Sequence, residues 1–207
     1  IGGSTYTASV TSDGNGDATI TTVPMSSTET LTITDISVDG TSCSSSITSI
    51  SAQIIVNPLP TLTGLSQNPT CSGQTTDVQL TGLLASLSQT ITYKIDGVTY
   101  TTSVTSDNNG IATITTHQLS STNTNALTVT KIDINSTGCS NTFTNTISLT
   151  VNPLPTITGV SQSAAVCSGT SATINLSGLL GSTTQTIGYS IGGSTYTASV
   201  TSDGNGD

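Results

Sequence analysis

A five-residue motif, Val-Asn-Pro-Leu-Pro, occurs twice in this 207-residue chain, at residues 56–60 and 151–155. Each copy is followed by Thr-(Leu/Ile)-Thr-Gly and then by Cys-Ser-Gly. The two asparagines are 95 residues apart, and the matching cysteines, Cys71 and Cys167, are 96 residues apart. A period of this length predicts the repetition of a whole domain rather than of a single hairpin.

A second repetition involves residues 1–17, which are identical to residues 191–207 and match residues 95–111 at 12 of 17 positions. We therefore expect a window from a longer array of alternating modules. Residues 1–56 are predicted to be the C-terminal part of one module, 57–152 a complete module and 153–207 the N-terminal part of the next. The predicted inter-module linkers consist of Asn57, Pro58, Leu59, Pro60, Asn152, Pro153, Leu154 and Pro155.

Short runs in which apolar and polar residues alternate predict β-strands along the whole chain. Ile91, Tyr93 and Ile95 alternate with polar residues, and Asp96-Gly97 is typical of a two-residue hairpin turn. Residues 68–73 are predicted to be a plain turn. About seven strands in each ~95-residue period predict an all-β fold of tandem immunoglobulin-like antiparallel β-sandwich repeats.

The end of the complete module is predicted to contain two long strands, at residues 126–135 and 142–151. In the first, the apolar side chains change phase after Val129, and the upstream copy changes phase in the same way. A strand can keep both sets of side chains on one face only if an extra residue is inserted. We therefore predict β-bulges near Thr130-Lys131 and Thr34-Asp35.

The composition limits the classes of partner. The net charge is −9, only 6% of residues are charged, and the only cations are Lys94 and Lys131. A surface that binds phosphates needs clustered Lys or Arg side chains, so we expect no nucleic-acid partner. No apolar run approaches the ~20 residues that span a bilayer, so we expect no membrane insertion.

The four cysteines, Cys43, Cys71, Cys139 and Cys167, suggest disulfides and an oxidising location. In a sandwich of the predicted topology, Cys71 and Cys139 belong to turns at opposite poles, farther apart than the ~7 Å that a disulfide allows. This favours bridges between modules, with partners outside residues 1–207. A bridge within the module, from Cys71 to Cys139, stays open because the topology is itself inferred, and free structural thiols are the third alternative.

Neither a catalytic group nor a cofactor is predicted. His117 is the only histidine, and Val23 occupies the upstream equivalent position, so we expect an exposed strand residue rather than a base or metal ligand. Asp13, Asn15 and Asp17 have the alternating oxygen ligands that calcium prefers, which makes them a weak candidate metal site. The same residues suit a plain hairpin turn, and this is the interpretation that we favour.

The tandem of Val-Asn-Pro-Leu-Pro-Thr-(Ile/Leu)-Thr-Gly, Cys-Ser-Gly and (Gly/Ser)-Cys-Ser resembles the immunoglobulin-like repeats of giant Bacteroidota surface adhesins. Among these are the SprB-type adhesins of gliding flavobacteria. The resemblance covers the whole chain, although its motifs are short. It implies export by the type IX secretion route, attachment at the outer surface of the cell, and a role in adhesion or gliding motility.

Two functions are expected from these features. The first is a structural stalk whose partners are neighbouring repeats of the same chain, stiffened by the proline-rich linkers. The second is a binding module that presents its loops or Thr-rich face to surface glycans or solid surfaces. Aromatic residues make up only 3% of the chain and tryptophan is absent, which argues for the stalk.

Overall fold

The computed structural model describes residues 3–207, and within this range the chain forms β-strands and no helix. The strands form several small sheets, all antiparallel except for one short pair. We refer to residues 3–56, 57–152 and 153–207 as the N-terminal, central and C-terminal segments. The N-terminal segment contains β1 (Glu29–Ser37) and β2 (Ser44–Ile54).

The central segment contains ten strands, several of them very short. They are β3 (Gly64–Gln67), β4 (Thr70–Cys71), β5 (Asp77–Thr81), β6 (Ser88–Ile95), β7 (Val98–Thr105), β8 (Ala112–Thr115), β9 (Ala126–Ile134), β10 (Ser140–Thr142), β11 (Thr146–Ser148) and β12 (Val151–Asn152). The C-terminal segment contains four strands. They are β13 (Gly159–Gln162), β14 (Ile174–Ser177), β15 (Thr184–Ile191) and β16 (Ser194–Thr201).

Two compact units divide the described residues. The first unit consists of the residues up to Gln67 together with Asp77–Thr115 and Ala126–Leu149. The second unit consists of Asn68–Thr76, Thr116–Asn125 and Thr150–Asp207.

The first unit contains two sheets from the central segment. One has the strand order β3-β5-β8, and the other has the order β10-β9-β6-β7, with β11 also paired to β9. Their side chains alternate between buried and exposed positions, and the buried set forms an apolar core. This arrangement is consistent with a β-sandwich. The core side chains in the sheets are Val78, Leu80, Ile91, Tyr93, Ile95, Ala112, Ile114, Leu127, Val129, Ile132 and Ile134.

A β-bulge in β9 keeps this core continuous. Opposite β6, Lys131 pairs with Thr92 and Val129 pairs with Tyr93, so Thr130 is the extra residue. The Thr130 side chain donates a hydrogen bond to the Thr92 carbonyl oxygen at 3.1 Å. The register of β1 against β2 also changes, between Ile33 and Asp35. The predicted bulge in β9 is therefore confirmed, whereas at β1 the extra residues lie in the partner strand, because Thr34 faces three residues of β2.

The β6–β7 hairpin has the turn that its sequence predicts. Asp96 and Gly97 have φ values of +49° and +86°, as a two-residue turn with left-handed central residues requires. Asp96 Oδ1 also accepts a hydrogen bond from the Ala126 backbone N–H at 3.1 Å, which joins the turn to the start of β9. The predicted hairpin turn is confirmed.

One prediction about the backbone is wrong, and another is confirmed only in part. Residues 142–151 do not form one long strand, because β10 ends at Thr142, β11 spans Thr146–Ser148, and β12 pairs with β4 instead of β9. Within residues 68–73, Ser72 and Gly73 form a turn in which the Gln74 N–H donates to the Cys71 carbonyl oxygen at 3.1 Å, but Thr70 and Cys71 form the other half of that parallel pair. The β4–β12 pairing joins residues about 80 apart, and no local pattern encodes it.

The second unit contains the β4–β12 pair and two antiparallel hairpin-like pairs, β13–β14 and β15–β16. Both hairpin-like pairs repeat central pairings in the same register. β13 and β14 correspond to β3 and β5, and β15 and β16 correspond to β6 and β7. Many of their apolar side chains are exposed, among them Ile174, Tyr189, Ile191 and Tyr196.

Candidate functional site at the proline junctions

The first junction connects the N-terminal and central segments within the first unit. Before it, the Val56 backbone N–H donates to Thr28 Oγ1 at 3.0 Å. After it, the Pro60 ring is buried, and the Pro60 carbonyl oxygen accepts a hydrogen bond from Asn141 Nδ2 at 3.2 Å. Only three residues, all exposed, lie between these fixed points: Asn57, Pro58 and Leu59.

The chain is also fixed on the far side of the first junction. The Thr61 hydroxyl donates to the carbonyl oxygen of Gly82, and the Thr63 backbone N–H donates to that of Thr81 at 2.8 Å. Gly82 has a φ of +77°, and a Cβ there would collide with the Thr63 side chain, so only glycine fits. The Thr-x-Thr-Gly sequence after the prolines therefore docks the junction onto the sheet.

The second junction uses the same docking contacts within the second unit. The Thr156 hydroxyl donates to the Gly178 carbonyl oxygen at 2.7 Å, and the Thr158 backbone N–H donates to the Ser177 carbonyl oxygen at 2.8 Å. Because these contacts occur at matching positions, both proline motifs have the same local role.

Before the second junction, Asn152 is held in the parallel β4–β12 pair. Its carbonyl oxygen accepts a hydrogen bond from the Ser72 backbone N–H at 2.8 Å, and Thr70 N–H donates to the Thr150 carbonyl oxygen at 3.1 Å. Pro153, Leu154 and Pro155 follow, and all three are exposed. Pro155 thus differs from its counterpart Pro60, which is buried.

All eight predicted linker residues therefore lie at the two junctions, which share the same docking contacts on their C-terminal side. The anchors Thr28 and Asn141 were not predicted, because they lie 28 and 81 residues from the groups that they bind. The repeated Thr-x-Thr-Gly was visible in the sequence, and it is the signal that could have located the docking contacts.

The four cysteines are unpaired in the part of the chain that the structure describes. Cys71 lies in β4, opposite Asn152, and it is exposed together with Cys43 and Cys167, whereas Cys139 is half-buried. No bridge joins Cys71 to Cys139 in this structure. Bridges to cysteines beyond residues 1–207 stay a prediction.

The weak calcium candidate forms a turn that closes on its own carboxylate. Asp13 Oδ1 accepts hydrogen bonds from the backbone N–H groups of Asn15 and Asp17, both at 2.9 Å. Asp107 Oδ1 makes the same pair of bonds at 2.8 Å, although Ile111 replaces the last aspartate. The turn therefore forms whether its last residue is an aspartate or an isoleucine, which agrees with its interpretation as a plain turn.

These backbone donors stabilise the charged form of the carboxyl group. The hydrogen bond from the Asp17 backbone, followed by that from Asn15, lowers the pKa of Asp13. The Ile111 backbone lowers the pKa of Asp107, and the Asp207 backbone lowers that of Asp203. All three carboxyl groups act as turn-forming acceptors.

The aromatic side chains stack in cross-strand pairs. Tyr93 and Tyr100 have ring centroids 5.6 Å apart, and Tyr189 and Tyr196 have centroids 5.5 Å apart. Tyr93 is buried in the core, and this burial raises the pKa of its hydroxyl group. The ring of Tyr93 is therefore unavailable to a ligand, whereas Tyr189 and Tyr196 are partly exposed.

His117 is exposed just beyond the end of β8, so its predicted exposure is confirmed, but it lies outside the strand. Within residues 3–207, no group of three or more His, Cys, Asp or Glu side chains is placed to hold a metal ion.

Searches against known protein families, curated proteins and solved structures found nothing that matches this chain. In the described residues, no helix is long and apolar enough to cross a membrane.

Proposed function

We propose that the chain forms stalk repeats of a large secreted cell-surface adhesin, which hold a distal binding region away from the cell and support adhesion or gliding motility. One observation carries the proposal: only Asn57, Pro58 and Leu59 lie between hydrogen-bonded anchors at the first junction. Proline fixes φ, and a short proline-containing link bends less than a flexible one. A stalk needs joints of this kind.

We infer further that the central segment is immunoglobulin-like and that the chain consists of tandem repeats of about 95 residues. The strand order β3-β5-β8 corresponds to strands A-B-E of that fold, and β10-β9-β6-β7 corresponds to G-F-C-C′. The matching registers of β13–β16 and β3–β7 support the repeat. The domain boundaries that follow from it are 1–56, 57–152 and 153–207.

The composition supports an extracellular stalk with no reaction to perform. Two cations in 207 residues leave few cleavage points for trypsin-like proteases and no basic surface for nucleic acid. The partners that fit are neighbouring repeats. The family resemblance of the proline and cysteine motifs supports type IX export and attachment at the outer membrane.

Small-angle X-ray scattering tests the stalk directly. We expect chains carrying one, two and three copies of residues 57–151 between residues 1–56 and 152–207 to lengthen in proportion to the copy number. The matched control replaces Pro58, Pro60, Pro153 and Pro155 by glycine, which should turn linear growth into the square-root growth of a flexible chain. Square-root growth in the unmodified chains would contradict the proposal.

Inter-module disulfides at Cys43, Cys71, Cys139 and Cys167 would stiffen such a stalk further. Mass spectrometry of a non-reduced digest of the cell-surface protein should find peptides linked between repeats. A Cys71–Cys139 peptide pair would support the bridge within the module instead.

The alternative is that each repeat binds glycans or surfaces itself. A glycan array with the 207-residue chain separates the two functions, because a stalk repeat should give no specific signal. Reproducible binding that is lost when Tyr100 is changed to Ala would support the binding module, since Tyr100 is the more accessible ring of the central pair.

A further inference from the structure

The N- and C-terminal segments expose side chains whose counterparts form the core of the central segment. Ile132 on β9 is 0% exposed, whereas Ile36, 96 residues earlier on β1, is 62% exposed. Ile95 on β6 is 2% exposed, whereas Ile191, 96 residues later on β15, is 67% exposed. Identical residue types at matching positions are thus covered in one segment and exposed in the other two.

A different local backbone does not explain this exposure. β1 changes register against β2 between Ile33 and Asp35, at the positions that match the bulge of β9 against β6. The tyrosine pair of β15–β16 stacks as the pair of β6–β7 does, with centroids 5.5 Å and 5.6 Å apart. The β13–β14 and β15–β16 pairs therefore have the registers of their central counterparts, and the outer segments lack the strands that cover those counterparts in the central segment.

The central segment shows what covers these strands. There, β9 pairs with β6, so that Ile132 lies opposite Ile91 and Val129 opposite Tyr93. β1 is the counterpart of β9, and β15 is the counterpart of β6. Among the described residues, β1 pairs only with β2 and β15 only with β16. Each therefore keeps an edge at which another strand can add.

We propose that residues 153–207 of one copy and residues 18–56 of a second copy associate and complete one sandwich by strand addition. The central register places Ile187 opposite Ile36 and Tyr189 opposite Ile33. The joined sheet has the order β16-β15-β1-β2, as β7-β6-β9-β10 has in the central segment. The inference rests on the repeat of about 95 residues inferred under the proposed function, and it does not require that the repeats form a stalk.

The second sheet is completed in the same way. β14 is the counterpart of β5, whose neighbours in the central segment are β3 and β8. Residues 18–21 are the counterpart of β8 and form no strand in this structure. Ile20 and Ile174 are both exposed. Their counterparts, Ile114 and Val78, are paired and buried, so residues 18–21 should become a strand against β14 on association.

Two further features favour a second copy as the occupant. β15 has no charged residue, so it lacks the charges by which natural edge strands resist addition. β16 already fills the position of β7, so residues 4–11 of the incoming copy, which have the same sequence as β16, remain outside. The two surfaces differ from each other, and such heterologous contacts produce rings or open filaments.

Sedimentation velocity of the 207-residue chain tests the proposal. From about 1 µM to about 100 µM, the range in which a modest interface dissociates, the mass should rise from 20.7 kDa to at least twice that value. A monomer at every concentration would overturn the proposal. This includes a monomer in which the N- and C-terminal segments of the same copy cover each other.

Two variants make the test specific. Ile36→Asp blocks the surface of residues 18–56, and Ile191→Asp blocks the surface of residues 153–207. Both residues are exposed in the free chain, so the variants should fold. Each variant alone should remain monomeric, whereas an equimolar mixture should form one-to-one dimers, because each supplies the surface that the other lacks.

Val98→Asp is the matched control, because Val98 is exposed on the complete central segment. It should associate like the unmodified chain. Hydrogen exchange should slow in β1 and β15 of the associated chain. The proposal would be overturned by any of three results. These are association that persists in both single variants, an equimolar mixture that stays monomeric, and hydrogen exchange in β1 and β15 that is unchanged on association.

Discussion

Asn141 Nδ2 donates a hydrogen bond to the carbonyl oxygen of Pro60 at 3.2 Å, although the two residues are 81 positions apart. Proline has no backbone N–H, so its carbonyl oxygen is the one backbone group through which it can be held. This bond fixes the end of the first linker to β10 and limits the junction to three exposed residues.

Changing Asn141 to Ala removes the donor and leaves the Pro60 carbonyl oxygen without this partner. We expect the free energy of unfolding of the sandwich to fall by about 1 kcal/mol. The urea midpoint should fall with an unchanged slope. Asn145→Ala is the control, because its backbone carbonyl, which accepts from Val129 N–H at 3.0 Å, is retained. Equal effects in both variants would argue against the anchor.

Gly110 and Gly97 provide a matched pair of left-handed glycines. Gly110 has a φ of +73°, and a Cβ there would collide with the Leu83 carbonyl oxygen. Gly97 has a φ of +86° but open space around it. Gly97→Ala should cost about 1–2 kcal/mol for the left-handed backbone alone. Gly110→Ala should cost at least about 2 kcal/mol more, measured by urea unfolding, because the clashing group is backbone.

Asp107 should make stability depend on pH in the acidic range. Its folded-state pKa is lowered by backbone donors, chiefly Ile111 N–H, so its contribution is present above the unfolded pKa of about 3.8. That contribution is lost as the pH falls through the folded pKa. The difference in urea midpoint between the unmodified chain and Asp107→Ala should therefore shrink at low pH. Asp107→Asn, whose acceptor does not titrate, should show no such pH dependence from this site.

Calcium should leave the melting temperature unchanged. Asp13 Oδ1 is already an acceptor for two backbone N–H groups, and the same turn forms at Asp107 without a matching last aspartate. Melting curves with calcium and with chelator should coincide. Suppose instead that calcium raises the melting temperature of the unmodified chain but not that of Asp17→Ile, which has the sequence of the central turn at this position. That result would support a calcium site at Asp13, Asn15 and Asp17.

The features that the sequence predicts correctly are mostly those set by residues close together in the chain. The phase change after Val129 predicts the bulge at Thr130, and Asp96-Gly97 predicts its turn, because both depend on residues adjacent in sequence. The alternation of Ile91, Tyr93 and Ile95 likewise predicts which face of β6 is buried.

Contacts between distant residues were not predictable in the same way. The pairing of β12 with β4 separates Val151 from what the sequence predicts as one strand, and the Asn141 anchor has no motif of its own. At Ile36 and Ile132 the sequence predicts the same buried face, and the structure buries only one of them. Burial depends on whether the opposite half of the sandwich is present, which no local pattern records.

Substitutions at Ile132 and Ile36 test how far burial depends on the opposite half of the sandwich. Ile132→Ala empties a fully buried site and should lower the free energy of unfolding by about 2–5 kcal/mol. Ile36→Ala removes a side chain that is mostly exposed, so in dilute solution its effect should stay within about 0.5 kcal/mol. Calorimetry of both variants at low concentration makes the comparison. If Ile36→Ala proved as costly as Ile132→Ala under these conditions, β1 would be covered within a single copy, and the exposed face from which self-association is inferred would not exist.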